Sequence, residues 1–173
     1  MRNKFLNDLQ NLHPELEKRE YLLLQRMTEL GHPMRMTAGL RTLKEQLYLF
    51  NQGRTVGGKI VTNEKVSLHN LGLACDNCFL GSDPFPNPET SPLWETYMAE
   101  ARKFGLTCGG DWENFKDYPH IQLTPELHAM EVVNLYLGSS LDKIWFLIDS
   151  KLGLSSIPKW IIRIGIVKEL LNE

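Results

Sequence analysis

Cysteine is scarce: Cys75, Cys78 and Cys108 are the only three. An odd handful of thiols builds no disulfide framework. Cys75 and Cys78 form a C-x-x-C around Asp76, but there is no second C-x-x-C, which a thiolate zinc site would want. Packing as small semi-buried residues is the expected role of all three. Long apolar runs are also missing; none approaches the ~20 residues that span a bilayer. Neither sign of charge prevails, with 19 Lys and Arg against 21 Asp and Glu and a formal net charge of −2. That balance does not indicate the basic face by which proteins hold nucleic acid. Internal repeats and low-complexity tracts are absent. The opening stretch, MRNKFLNDLQNLHPELEKRE, has no continuous apolar segment and no small-residue cleavage site. It does not read as a secretory leader, so a protein made in a cytoplasm is expected.

What is present suits one folded domain. The chain has 173 residues, 42% of them hydrophobic and 23% charged, enough for a sizeable core. HPELEKREYLLLQRMTELGH predicts a helix with Pro14 in its first turn and Gly31 past its end. PMRMTAGL alternates Met34, Met36, Ala38 and Leu40 on one face, the period of a half-buried strand. Thr42 to Glu45 is a capping-box pattern that opens a helix through Leu47 and Phe50, ending near Gly53. GRTVGGKIVTNEK reads as a loop, LACDNCFL as a short strand, and GSDPFPNPETSP as irregular surface punctuated by proline. Ser91 is the expected cap of a helix with Pro92 at its first position and an apolar face of Trp94, Tyr97, Met98, Ala101 and Phe104. LTCGGDW and HIQL are strand candidates around a Gly-Gly turn, for which Gly109 and Gly110 are expected to supply positive φ. TPELHAMEVVNLYLG, capped by Thr124 with Pro125 following, SLDKIWFLIDSKLG and IPKWIIRIGIVKELLNE complete the chain as helices. The order predicts an α+β domain, a small, mostly antiparallel sheet flanked by helices with a helical C-terminal extension. Its expected division is a main unit over 1–138 and an extension over 139–173 packed on it. The last stretch, amphipathic with Trp160, Ile161, Ile164 and Val167, is expected to pack on the domain. Contact with an envelope is the rival use.

Histidine occurs at five positions: 13, 32, 69, 120 and 128. His13, His32 and His128 adjoin helix ends or charged neighbours and are expected at the surface or at boundaries. His69 and His120 lie at loop–strand junctions in low-charge surroundings, each with a carboxylate nearby, Asp76 and Asp117. Asp76 sits among Leu73, Ala74 and Cys75, where an unpaired carboxylate would be costly. Two His and one carboxylate make the ligand count of a catalytic zinc site with a position left for water. An additional carboxylate close by would serve as general base. A core histidine bonded to an aspartate satisfies the same pattern, and spacing alone leaves both readings open.

Three motifs bear on that choice. SLHNLGLACD resembles the S-x-H-x-x-G-x-A-x-D signature of the zinc D-alanyl-D-alanine carboxypeptidase family. That family includes vancomycin-resistance dipeptidases and the L-alanyl-D-glutamate endopeptidases of phage endolysins. Ser67, His69, Gly72, Ala74 and Asp76 match. GGDWENFKDYPHIQL resembles the family's G-G-D-W-x-x-F-x-D-x-P-H segment through Gly109, Gly110, Asp111, Trp112, Phe115, Asp117, Pro119 and His120. AGLRTLKEQLYLFNQGRT resembles a third stretch through Gly39, Arg41, Thr42, Glu45, Gln46, Leu47, Gly53, Arg54 and Thr55. The likeness spans residues 38–123. Leu40 and Phe50 depart from it where tyrosine is frequent, beside motif residues and not at ligands.

The resemblance implies that His69, Asp76 and His120 bind Zn²⁺ and that Asp117 stands as catalytic base. It implies that Arg41 steadies an oxyanion or substrate carbonyl, and that Ser67, Trp112 and Gln46 contact substrate. Read without it, Arg41 is a cation near a helix start, Ser67 a loop hydroxyl, Trp112 half core and half cleft wall. Glu113 is the rival base, with solvent exposure its expected state. The implied activity is hydrolysis of an amide bond in the peptidoglycan stem peptide. The G-R-T and G-G-D-W-x-x-F-x-D-x-P-H forms look most like the L-alanyl-D-glutamate endopeptidases. A D-alanyl-D-alanine carboxypeptidase on the same site is the alternative, and a non-catalytic cell-wall-binding module the distant one. The expected protein is a monomer with no nucleic acid partner, a phage or prophage endolysin reaching the wall after release from the cytoplasm.

Overall fold

The computed structural model describes residues 11–123 and 129–153. Helix α1 (Pro14–Glu29) starts on Pro14 and ends ahead of Gly31, whose φ is +81°. It buries Leu16, Glu20, Leu23 and Met27, one stripe at helical spacing that includes a carboxylate. His13, expected at the surface or at a boundary, does stand at the boundary and caps this helix, its Nδ1 accepting from Glu15 N at 3.2 Å, but it is buried there. The correction has a tertiary cause: the ring packs edge-on against Trp145, 5.5 Å between centroids.

Strand β1 (Met34–Ala38) stops short of Leu40, because its register with the next strand slips between Met36 and Ala38. Helix α2 (Leu43–Asn51) opens on the expected Thr42–Glu45 capping box. Its one buried side chain is Gln46, not the apolar Leu47 or Phe50, which are half-buried. Strand β2 (Ala74–Phe79) follows, then α3 (Leu93–Lys103). Here Pro92 occupies the cap position and Ser91 Oγ accepts from Leu93 N at 3.4 Å, one residue off the expected start. Strands β3 (Thr107–Cys108) and β4 (His120–Gln122) and helices α4 (Ala129–Gly138) and α5 (Leu141–Lys151) complete the described chain.

The strands form one sheet in the order β1-β2-β4-β3 with every neighbouring pair antiparallel. Among the described residues, five helices and this sheet make the α+β fold that the pattern predicts. Alternation along β2 sends Cys75, Asn77 and Phe79 to one face and Asp76 to the other. The first face is the core side: Phe79 packs against Trp94 of α3, and Asn77 Nδ2 donates to Tyr97 Oη at 2.9 Å. Helix α5 joins the core through buried Ile144 and Ile148. The expected features at Thr124, Pro125, His128 and 157–173 lie outside the described residues. No helix among the described residues is long and apolar enough to cross a membrane.

Candidate metal centre

Strand register builds two corners of the site. In the β2–β4 ladder Asp76 lies directly opposite His120, which brings their side chains together on one face of the sheet. The third corner comes from the turn Leu68–Leu71, closed by Gly72 in the left-handed conformation at φ +67°. Only glycine suits that position twice over: a Cβ there would lie 2.9 Å from Asn11 O. The turn is tied to the segment before α2, since Arg41 N donates to His69 O at 3.0 Å and Asn70 Nδ2 donates to Arg41 O at 2.7 Å.

Three donor atoms converge. His69 Nε2 and His120 Nδ1 each lie 3.2 Å from Asp76 Oδ1, and 3.3 Å from one another. A tetrahedral ion with bonds of 2.0–2.1 Å needs donors about 3.3 Å apart, so this triangle has the dimensions of one face of a zinc site. The chemistry of the set agrees: two imidazoles and a carboxylate leave a fourth position open. Among the described residues this is the one His/Cys/Asp/Glu group close enough to hold an ion. Cys78, although on the Asp76 face of β2, is not part of it; all three cysteines are buried and unbridged.

The rings are oriented from outside. His69 Nδ1 meets Gly39 O at 2.9 Å and His120 Nε2 meets Gln122 Oε1 at 3.1 Å. Asp76 is held from behind by Arg41, whose Nη2 donates to Oδ2 at 3.0 Å. Burial by itself would raise the Asp76 carboxyl, but the charges and hydrogen bonds of His69 and His120 outweigh it and hold it well below the usual carboxylate range. Burial lowers His69. It also works against charged His120, yet the hydrogen bond and charge of Asp76 leave that ring raised.

Asp117 reaches the same cavity from the loop before β4, with its N–H on Gly109 O and its carbonyl accepting from His120 N. Burial first, then the charge of Asp76, pushes its carboxyl up to about 6. Gly109 and Gly110 do not have the positive φ expected of them. They are small for another reason: a Cβ on Gly109 would lie 2.5 Å from Asp117 O and 2.9 Å from His120 Cβ, and one on Gly110 2.4 Å from Met98 Sδ. The glycines let the Asp117–His120 turn close down on the sheet.

The other expected site residues divide. Trp112 stacks at a tilt over His120, 4.9 Å between centroids, and Ser67 lines the cavity with its Oγ 3.2 Å from Gln46 Oε1. Gln46, expected on substrate, is fully buried with its amide engaged inside the protein: Nε2 donates to Glu64 O and Oε1 accepts from Arg41 Nη1. Its place is behind Arg41. Glu113 is exposed at the cavity edge. The residues that sequence reasoning missed are Asn70, which staples the His69 turn, and Gln122. The signal for Gln122 was its spacing, two residues beyond His120 on a strand and so on the same face.

These side chains open into a cavity of about 840 Å³, the size range of small-ligand sites. Its composition, an open ligand position beside a raised carboxyl and a guanidinium, is suited to activating water against an amide carbonyl.

Comparisons with known proteins agree in kind. A family model described as D-alanyl-D-alanine carboxypeptidase matches residues 61–123. Over 125 residues the chain is 34% identical to the peptidoglycan L-alanyl-D-glutamate endopeptidase CwlK of Bacillus subtilis (strain 168), a match covering 66% of this chain and 75% of that protein. The L-Ala D-Glu endopeptidase ChiX of Serratia marcescens has a similar fold, with TM-score 0.56 and 22% identity over 72% of this chain and 89% of that one. The L,D-carboxypeptidase DacB of Streptococcus pneumonia is also similar, with TM-score 0.50 and 20% identity over 78% of this chain and 76% of that one. At such identities the two structures speak for the fold.

Proposed function

Since the chain belongs to the D-alanyl-D-alanine carboxypeptidase family of metallopeptidases, we propose that it is a zinc-dependent peptidoglycan hydrolase that cleaves the L-alanyl-D-glutamate bond of the stem peptide. The observation that carries this reading is the triangle of His69, Asp76 and His120 with Asp117 and Arg41 on the same cavity. CwlK, named for that bond, supplies the choice of substrate.

Zinc, when bound, makes a coordinated water acidic enough to lose its proton near neutral pH. Asp117 would accept a proton from the attacking water and return it to the departing amine. Its raised carboxyl suits both directions of transfer. Arg41 holds Asp76 in place and presents a permanent positive charge beside the attacked carbonyl. Gln46 positions Arg41, while Ser67 and Trp112 form the wall along which the peptide lies.

A second reading has its own support: the matching family model is named for D-alanyl-D-alanine carboxypeptidases. Mass spectrometry of purified sacculi digested with zinc-loaded protein separates the two. Ala–Glu cleavage is expected, and release of D-alanine would favour the second reading. Uncut sacculi, with Asp117→Ala behaving identically, would refute a hydrolase and leave only a wall-binding module.

A further inference from the structure

A histidine can bind a metal through only one ring nitrogen at a time, and the other must then carry the proton. At His69 the matter is settled by backbone: Nδ1 faces Gly39 O at 2.9 Å and so donates, leaving Nε2 free to face Asp76. His120 is turned the other way. Its Nδ1 faces the donor triangle and its Nε2 faces the side chain of Gln122.

We infer that Gln122 is a positioning residue for the metal: by accepting the Nε2 proton of His120, its amide oxygen fixes the ring in the form whose Nδ1 lone pair points at the ion. The opposite amide orientation would place an –NH₂ against Nε2, drive the proton to Nδ1 and put it inside the triangle. Burial makes the choice matter. His120 is 6% and Gln122 8% exposed, so water is poorly placed to serve as a substitute acceptor. The fold also fixes where Gln122 stands, because it pairs with Ala74 of β2 on one side and Thr107 of β3 on the other.

The assignment presupposes the metal held by His69, Asp76 and His120, and the experiment keeps the two apart. Zinc affinity is measured by competition with a chromophoric chelator for the full chain, Gln122→Met and Gln122→Glu. Outer hydrogen-bond partners of metal-bound histidines typically account for roughly 10–100-fold in affinity. Gln122→Met, similar in length but without an acceptor, is expected to bind zinc more weakly by about that factor. Gln122→Glu keeps an acceptor and is expected to bind at least as tightly as the parent. Long-range ¹H–¹⁵N spectra of the zinc-loaded parent provide a reading that needs no variant. They are expected to show His120 protonated at Nε2, with that proton protected from exchange, and Gln122→Met is expected to lose the protection. A parent protein that takes up no zinc refutes the metal itself and this role with it. A parent that binds zinc while Gln122→Met binds within twofold, or whose His120 is protonated at Nδ1, overturns the role of Gln122 alone.

Discussion

Glu20 offers a sharp test of the electrostatics of the fold. It lies on the buried stripe of α1, has no exposed surface, and among the described residues neither carboxyl oxygen has an aligned hydrogen-bond partner. Around it are Asn77 and Cys75 of β2 and Tyr97 of α3, with Glu17 on its own helix. Asn77 Oδ1 is likewise without a partner, although the two side chains are neighbours. A neutral carboxyl resolves this, since its O–H is the donor that Asn77 lacks. Burial accordingly pushes the Glu20 carboxyl up to about 7 from an ordinary 4.5. The sign follows from proton binding: between those values the unfolded chain releases a proton that the folded chain keeps, so stability falls as pH rises from 4.5 and levels off above 7. The whole fall amounts to about 3 kcal/mol, at 1.36 kcal/mol per tenfold change in proton affinity. Glu20→Gln keeps the shape and a donor but cannot ionise. Urea denaturation of both proteins from pH 4.5 to 8.5, at one fixed metal condition, is expected to show the variant gaining about 3 kcal/mol on the parent across this range. Contributions from the metal-site histidines cancel in the difference. A gap between variant and parent that does not change with pH would refute the reasoning.

Other expectations attach to the site. Asp117→Asn should retain zinc and fold, by metal analysis and circular dichroism, yet lose roughly 10²–10⁴-fold in kcat. Arg41→Met removes the cation behind Asp76 and is expected to weaken zinc binding roughly 10–100-fold in a chelator competition. Gly109→Ala forces a Cβ against Asp117 O. It should destabilise the fold by about 1–3 kcal/mol in denaturant titration, with activity falling beyond the loss of folded protein. Zinc at 100 times its Kd should stabilise the parent by about 2.7 kcal/mol, and a chelator should abolish the gain.

The legible part of this molecule was what local pattern determines. The Thr42–Glu45 capping box, the Pro14 start and the alternation in MRMTA follow from neighbouring residues, and each is realised. The meeting of Asp76 and His120 is different: spacing left it open, the resemblance to the family's motifs implied it, and it is a cross-strand pairing that no local pattern determines. What local pattern did not reveal came from residues distant in sequence. The burial of His13 was hidden because its ring neighbour, Trp145, is more than a hundred positions away. Gly109 and Gly110 signalled a need for smallness, but whether for a φ angle or for close approach depended on Asp117 and Met98. Glu20 was hidden by composition: among Glu15, Glu17, Lys18 and Arg19 it resembles a solvated face. Helix phase alone, through Leu16, Leu23 and Met27, puts it inside.

The three donors also differ in how they are secured. Asp76 and His120 are cross-strand partners, so sheet register by itself sets their separation. His69 belongs to a short irregular turn with no ladder to hold it, and a shift of a few tenths of an ångström there would spoil the triangle. Its restraint comes from elsewhere in the chain. His13 N donates to Gly72 O at 2.9 Å, and Trp145 Nε1 donates to Leu71 O at 2.7 Å. His13 Nε2 and Asp149 Oδ1 stand 3.4 Å apart, near enough to attract although not aligned as a hydrogen bond. The start of α1 and helix α5 thus grip the same turn. It follows that α5, outside all three sequence motifs, supports the one donor of the triangle that the sheet does not hold.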